Sequence, residues 1–242
     1  MNTEKLSFFY LDSVLLNLNT YTINVFGAGG TGSHLISQLA TVAYALRETL
    51  GKSIKLTAFD FDKVDKRNVG RSDFIEGDTD LTKTVIAVSK ANISYGLNWK
   101  ARSTDHTFGM GPAHFTFICT DSAKSRELIR EATVSFKNSN ADERPYYIFD
   151  IGNDRDFGQI TFTDILGRLK DIDRSGATSE TVGTETCGER GLFAEQGLFI
   201  NQFMAMLASE MFWSLLTQFN LDYNQLFANL SIMKINTKLE WQ

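Results

Sequence analysis

Residues 22 to 32 read TINVFGAGGTG, a β-branched and aromatic run followed by six residues of which four are glycine. The run predicts a buried strand, and the glycines predict a tight turn into the helix that follows. Glycine permits a positive φ and a close approach of the backbone to a ligand, while a helix N-terminus presents unbonded N–H groups. In this strand–turn–helix context the pattern favours phosphate binding over a purely structural turn.

The segments that follow the glycine turn alternate between helix and strand patterns. Apolar periodicity predicts helices over residues 33–50, 82–93, 122–136 and 193–219. Strands are predicted over residues 22–26, 54–59, 115–119, 145–150, 158–162 and 226–239. We therefore predict an α/β, Rossmann-like fold: a mostly parallel sheet with helices on both faces, extended by C-terminal strands. Residues 167–191 are rich in Gly, Ser, Thr and charge, and predict a long loop.

Composition limits the classes of protein to consider. The 242 residues are 43% hydrophobic and carry a net charge of -5, which suits a single domain over residues 1–242. Mild acidity argues against sequence-independent nucleic-acid binding, which needs a basic surface. No apolar run reaches the roughly 18 to 20 residues that a membrane span needs, and the N-terminal segment lacks a secretory pattern. We expect a cytoplasmic protein.

The chain contains two cysteines and three scattered histidines, without metal-ligand spacing, so we expect no structural zinc. Cys119 falls inside a predicted strand and is expected in the core. Cys187 lies in a polar segment near Arg190. A neighbouring cation can lower the pKa of an exposed thiol, so Cys187 is either a nucleophile or an incidental surface thiol.

Three carboxylates follow predicted strands at the edge where α/β proteins bind ligands. Asp60 lies at the tip of the second strand, where a dinucleotide-type fold places a ribose-binding carboxylate, although the separation exceeds the common spacing of about 20 residues. Asp62 is either a solvated loop residue or a support for the turn. Asp121 follows the strand 115–119 and can hold Mg²⁺, or alternatively it or Ser122 caps the next helix.

Two cations discriminate between kinds of nucleotide chemistry. A lone Arg71 or Lys83 would ordinarily be a solvated surface charge. Nucleotidyl transfer, however, needs cations around the attacked phosphate, whereas a dehydrogenase needs an unobstructed hydride path. Because Lys83 opens a predicted helix after a loop, its ammonium can point back to the glycine turn.

These residues form four blocks in a fixed order. They are GAGGTG at 27–32, DFDKVDKRNVGR at 60–71, Lys83, and Cys119-Thr120-Asp121. In this order they resemble the ThiF/MoeB-type ubiquitin-activating (adenylating) superfamily. Further blocks resemble one branch, the ThiF-type proteins of PRTRC and bacterial ubiquitin-like conjugation gene clusters; they are NVGR at 68–71, YGLNW at 95–99, DIGN at 150–153, Gly158-Gln159 and LFIN at 198–201.

The resemblance implies a nucleotide site made of those blocks. Residues Gly27, Ala28, Gly29, Gly30, Thr31 and Gly32 would wrap the ATP phosphates. Asp60 would bind the ribose hydroxyls, with Asp62 and Thr120 in the same site. Asn68, Arg71 and Lys83 would contact the phosphates, and Asp121 would organise Mg²⁺.

The implied reaction is attack by the C-terminal carboxylate of a small ubiquitin-like or sulfur-carrier protein, with a β-grasp fold, on the α-phosphate of ATP. The segment 167–191 stands where relatives have a crossover loop that covers the partner's tail. Relatives that conjugate proteins keep a cysteine there for a thioester, and Cys187 matches that position. A conjugating-enzyme-like partner and a homodimer are further implications, although no arginine precedes the first strand, where many family dimers insert one.

Two other functions remain open at this point. A nicotinamide-dependent oxidoreductase accounts for the glycine turn and Asp60, but it leaves Arg71, Lys83 and Asp121 unexplained. A non-catalytic nucleotide-binding scaffold accounts for all the motifs without a reaction.

Overall fold

A computed structural model describes residues 9–104, 110–139, 146–165 and 197–240, with side chains omitted for 136–139. The strands are β1 (Phe9–Tyr10), β2 (Thr20–Phe26), β3 (Ser53–Phe59), β4 (Lys100–Arg102), β5 (Phe115–Ile118), β6 (Tyr147–Asn153), β7 (Phe157–Asp164), β8 (Asn220–Leu221), β9 (Gln225–Asn229) and β10 (Lys234–Lys238). The helices are α1 (Ser13–Leu16), α2 (Gly30–Leu50), α3 (Lys83–Tyr95), α4 (Ala123–Ser139) and α5 (Ile200–Gln218). The loop predicted over 167–191, with Cys187, lies outside the described residues.

The central sheet has the strand order β10-β9-β7-β6-β5-β2-β3-β4 among the described residues. The five strands from β6 to β4 run parallel, while β7, β9 and β10 are antiparallel. In the register, Phe26 lies opposite both Phe59 and Ile118. The chain therefore leaves β2, β3 and β5 at one level of the same sheet edge, which brings together the blocks that begin at Gly27, Asp60 and Cys119.

The two faces of the sheet pack against different helices. Successive strand residues belong to different apolar clusters: Val25 lies in the larger cluster, and Phe26 in the smaller one. The larger cluster includes residues of α2, α3 and α5, whereas the smaller one includes Ile129 of α4. This arrangement confirms the predicted α/β fold with helices on both faces.

The helix ends follow local chemistry. Gly51 adopts a left-handed conformation (φ 64°), and its N–H bonds back to the carbonyl of Arg47, so α2 ends where the sequence predicts. At the other end, α2 begins at Gly30, three residues before the predicted start, because half of the glycine turn is already helical. Helix α5 begins at Ile200, seven residues later than predicted, and residues 197–199 precede it without helical structure. Among the described residues, no helix is long and apolar enough to cross a membrane.

The prediction of one strand over 226–239 is wrong. The structure has two antiparallel strands there, β9 and β10, joined by a turn at 230–233. The side chain of Asn229 makes this turn, because its Oδ1 accepts hydrogen bonds from the backbone N–H and the hydroxyl of Ser231 (3.0 and 2.7 Å). The short strand β4 and the β1–β8 pair were also missed, since two or three residues carry no periodic signal.

Replacing Phe212 with alanine tests the packing of α5 on the parallel strands. Its ring meets those of Phe115 and Phe117 edge to face, at 4.9 and 5.4 Å between centroids. We expect the free energy of unfolding, measured in urea, to fall by about 3 to 5 kcal/mol. Met206→Ala on the exposed side of the same helix should cost less than about 1 kcal/mol. Equal losses in the two variants would contradict this packing.

Candidate functional site

Two glycines of the turn are required by the fold itself. Gly27 has a φ of +86°, and a Cβ there would stand 2.9 Å from the carbonyl group of Cys119. A Cβ on Gly32 would overlap the carbonyl oxygen of Gly27. Gly27 excludes a side chain because of its positive φ and the backbone that follows β5, and Gly32 excludes one because α2 packs directly on the end of β2.

The other two glycines differ from each other. A Cβ on Gly30 would stand 2.7 Å from the carboxamide of Asn201, so this position is also set by packing. A Cβ on Gly29 would meet no described atom within 4 Å. Packing within the described residues therefore does not explain Gly29, which borders open space at the sheet edge.

The N-terminus of α2 is left without a side-chain cap. Gly29 is the N-cap residue and makes no capping side-chain bond, and the first turn contains no acidic residue. Ser33 does not replace the cap, since its hydroxyl donates to the carbonyl of Gly30 (3.1 Å). A helix start of this kind has unbonded N–H groups and the positive end of the helix dipole, so it can bind an anion.

Asp60 lies beside this helix start and is 7% exposed. Its Oδ2 accepts the backbone N–H of Ala28 (2.7 Å), and its Oδ1 accepts that of Asp62 (2.8 Å). Burial raises the pKa of Asp60, while the two backbone donors and the charge of Lys83 act in the opposite direction. The carboxylate is thus tied to the glycine turn, at the place expected for a ribose-binding group.

Asp62 is more than a solvated loop residue, because it forms an ion pair with Lys83. The ammonium of Lys83 donates to Asp62 Oδ2 (2.8 Å), and the backbone N–H of Lys83 donates to the carbonyl of Asp62 (3.0 Å). The side chain of Lys83 is 10% exposed and that of Asp62 is 51% exposed. This pair holds the Lys83 cation at the end of β3.

Asn68 and Arg71 lie in the loop between β3 and α3, which hydrogen bonds hold in place. Asn68 is buried, and its Oδ1 accepts the backbone N–H of Asp65 (2.9 Å). The carbonyl of Arg71 accepts from Asn201 Nδ2 (3.3 Å). Two residues later, the backbone N–H of Asp73 donates to the hydroxyl of Ser33 on α2 (3.0 Å). These bonds fix the segment that carries Arg71 against the first turns of α2 and α5.

The three residues after β5 differ in exposure: Cys119 is partly buried, Thr120 is buried and Asp121 is exposed. Burial raises the pKa of the Cys119 thiol to about 12, and Cys119 packs against the larger core cluster, as predicted. Thr120 is buried, and its hydroxyl has no hydrogen-bond partner among the described residues. Asp121 is exposed. Ser122 caps α4 instead, since its Oγ accepts the N–H of Ser125 (3.2 Å), so the capping role falls to Ser122.

The site predicted to organise Mg²⁺ offers the carboxylate of Asp121 and not a full set of protein ligands. No group of three His, Cys, Asp or Glu residues that could hold a metal occurs in the described part of the chain. Mg²⁺ commonly takes one or two protein carboxylates together with substrate phosphates and water. Asp121 therefore fits Mg²⁺ only as a single ligand to an ion held mainly by phosphate oxygens.

Sequence reasoning gave no role to two asparagines that the structure brings into the site. Asn153 ends β6, and Asn201 lies in the first turn of α5. Both accept the hydroxyl of Thr31 (3.1 and 3.0 Å), and Asn153 Nδ2 donates to Asn201 Oδ1 (2.8 Å). The sequence feature that could have indicated these two asparagines is their position at the polar ends of the short blocks DIGN and LFIN.

Similar architectures occur among solved structures. Escherichia coli MccB with ATP aligns with a TM-score of 0.66 at 14% identity, over 95% of this chain and 67% of that one. The microcin C7 biosynthetic enzyme MccB in complex with N-formylated MccA aligns with a TM-score of 0.66 at 14% identity, over 94% and 66%. PaaA aligns with a TM-score of 0.64 at 12% identity, over 90% and 72%. The fold of this chain is thus α/β and Rossmann-like, with the same architecture as these structures.

At this level of identity the likeness concerns the fold alone. The chain spans about two thirds of the length of the MccB chains. No protein-family model matches the sequence, and no curated protein matches it. The function proposed below therefore rests on the sequence motifs and on the geometry of the site.

Alkylation tests the burial of Cys119. In a Cys187→Ser variant, Cys119 is the only thiol of the chain. The thiolate is the reactive form, and a thiol with a pKa of about 12 is almost wholly protonated at about pH 8. We expect iodoacetamide to modify the native protein at least about a hundredfold more slowly than the urea-unfolded protein, as followed by mass spectrometry. Similar rates in both states would contradict the buried position.

Proposed function

We propose that this protein adenylates the C-terminal carboxylate of a small partner protein or peptide, using ATP. The observation that carries the proposal is the start of α2 at Gly29, which has no side-chain cap among the described residues. Asp60 bonds to the neighbouring Ala28 and lies close enough to Lys83 for that cation to oppose the rise in pKa that burial causes. Backbone N–H groups and a helix dipole suit phosphate oxygens, and a fixed carboxylate suits ribose hydroxyls.

The cations separate this proposal from simple dinucleotide binding. Lys83, nearly buried and directed toward the end of β3, supplies positive charge close to Asp60. Arg71 is held by its carbonyl at the first turn of α5. Together with Asn68 and the hydroxyl of Thr120, these side chains are the groups that we assign to the phosphates. Charge on the attacked phosphate is stabilised by such fixed donors.

The proposed reaction is a nucleotidyl transfer that requires no oxidant or reductant. A carboxylate oxygen of the partner attacks the α-phosphorus and forms an acyl–phosphate bond. The bond from the α-phosphorus to the bridging oxygen of the β-phosphate breaks, and pyrophosphate leaves with the electron pair. The products are an acyl-adenylate and pyrophosphate. Mg²⁺, when held by Asp121 and the phosphates, would neutralise charge on the departing group.

The kind of partner follows from the motif resemblance. MccB has been solved with MccA bound, and we propose a small protein partner here too, namely a ubiquitin-like or sulfur-carrier protein of β-grasp fold. Transfer of the acyl group to Cys187, a homodimer and a conjugating-enzyme-like partner are extensions of the same proposal. No described residue bears on them, because Cys187 lies outside the described ranges.

Pyrophosphate exchange tests the reaction. With a small β-grasp protein that it binds, the enzyme should incorporate labelled pyrophosphate into ATP. If the folded enzyme binds the partner but shows no pyrophosphate exchange, the result would favour the non-catalytic nucleotide-binding scaffold. A melting-temperature rise with NAD and none with ATP would favour the oxidoreductase instead.

Gly29→Ala tests the phosphate site directly. The added methyl group meets no described atom within 4 Å, so packing among the described residues should let the variant fold. The same methyl would occupy the place where a phosphate approaches the backbone. We expect the Kd for ATP, measured by calorimetry, to rise at least about tenfold, or about 1.4 kcal/mol.

Gly77→Ala is the matched control for this experiment. Gly77 also has no atom within 4 Å of an added Cβ, but it lies in the exposed loop before α3. Its Kd for ATP should equal that of the wild type. Unchanged ATP affinity in Gly29→Ala would remove the observation on which the proposal depends.

Cys187→Ala tests the thioester. If Cys187 accepts the acyl group, ATP and the partner should yield a partner-linked adduct that reducing agent cleaves, and the variant should form no adduct while pyrophosphate exchange persists. An adduct that survives in Cys187→Ala would refute the role of this residue. Cys119 serves as an internal control, because a protonated, buried thiol is a poor nucleophile.

A further inference from the structure

We infer that Asn201 is a positioning residue that sets Arg71 relative to the anion-binding turn of α2. The inference rests on the proposed function. Asn201 is 3% exposed and lies in the first turn of α5. Its single carboxamide joins α2, the β3–α3 loop, the end of β6 and α5.

The bonds at Asn201 require both an acceptor and a donor. Its Oδ1 accepts from the hydroxyl of Thr31 (3.0 Å) and from Asn153 Nδ2 (2.8 Å). Its Nδ2 donates to the carbonyl of Arg71 (3.3 Å). An aspartate of the same shape keeps both accepted bonds when it is ionised, but it cannot donate to Arg71 and instead faces a carbonyl oxygen.

Close packing also ties Asn201 to the turn. A Cβ on Gly30 would stand 2.7 Å from the carboxamide atoms of Asn201, so the glycine at this position depends on the asparagine. Thr31, the next residue, is one of its hydrogen-bond donors. The buried carboxamide of Asn201 therefore contacts both the residues that begin α2 and the carbonyl of Arg71. These contacts fix the distance between the glycine turn and the backbone of Arg71.

Other bonds hold the same loop, so removing Asn201 should not unfold it. The backbone N–H of Asp73 donates to the hydroxyl of Ser33, and Lys90 on α3 donates to the carbonyl of Asp73 (2.7 Å) and pairs with Asp78 (2.7 Å). The loop would stay attached through these contacts. What it would lose is the bond at Arg71 itself.

Asn201→Ala and Asn201→Asp test the inference in pyrophosphate exchange, below the melting temperature of each variant. The glycine turn is intact in both, so we expect the KM for ATP to stay within about threefold of the wild-type value, while kcat falls at least about tenfold. Gln202→Ala, the exposed neighbour on α5, should behave as wild type. Wild-type kcat in folded Asn201→Ala would overturn the positioning role.

The pH dependence of kcat in the Asn201→Asp variant distinguishes positioning of Arg71 from structural support alone. When protonated, the introduced carboxyl group could donate to the Arg71 carbonyl and still accept from Thr31 and Asn153. The ratio of the variant's kcat to that of the wild type should therefore rise as the pH falls from roughly 8 to 6, since burial raises the pKa of a carboxyl group. Within three residues of Thr31, Arg71 and Asn153, which contact Asn201, the titratable groups are His34, Arg71, Asp73, Asp150, Asp154, Arg155 and Asp156; residues 200–207 of α5 carry none. A ratio that is low at every pH would count against the inference.

The contact itself is measured by a double-mutant cycle on the melting temperature. Gly30→Ala should lower the melting temperature of the wild type, and should have little effect, or raise it, in the Asn201→Ala background, because the obstructing carboxamide is gone. Additive shifts would show that the two residues do not meet. Absence of exchange by the wild type would overturn the proposed function and this role with it, whereas wild-type exchange with unchanged Asn201 variants would overturn this role alone.

Discussion

The packing of α2 directly on the end of β2 is the constraint on which the site depends. A side chain on Gly32 would overlap the Gly27 carbonyl, so the helix reaches this position only with glycine there. The contact points the unbonded N–H groups of α2 at the edge where β3 and β5 also end. Asp60 then bonds to the turn through Ala28, and its other carboxylate oxygen accepts the N–H of Asp62.

The charged groups near this edge are compensated before any ligand arrives. Asp60 has two backbone donors, and Lys83 has Asp62. On the second face of the sheet, buried Asp150 lies between Arg126 and Arg130 of α4. Burial of an uncompensated charge is costly, so these pairs allow charge to stand close to the sheet. The start of α2 is the exception, because its partial positive charge meets no acidic side chain in its first turn.

Several features of the site were predictable because local chemistry fixes them. The strand–turn–helix around residues 22–50 follows from periodicity and glycine, and Asp60 follows from its place at the end of a strand. The carboxamide of Asn201 could not be predicted, since it meets Thr31 170 residues away in sequence. Likewise, the β9–β10 turn depends on one side chain, that of Asn229, within a segment whose alternation continues across the turn.

The sequence by itself determined the α/β class and the order of the motif blocks, and it predicts phosphate binding at the glycine turn, because periodicity, backbone freedom and charge are local properties. Only the tertiary structure divided the four glycines by role. A Cβ on Gly27, Gly30 or Gly32 would meet atoms of Cys119, Asn201 or Gly27 respectively, whereas one on Gly29 would meet no described atom within 4 Å. The tertiary structure also decided that Asp62 forms an ion pair with Lys83, and that Ser122 rather than Asp121 caps α4. Those assignments depend on which atoms meet across the fold, and residue spacing along the chain does not encode such contacts.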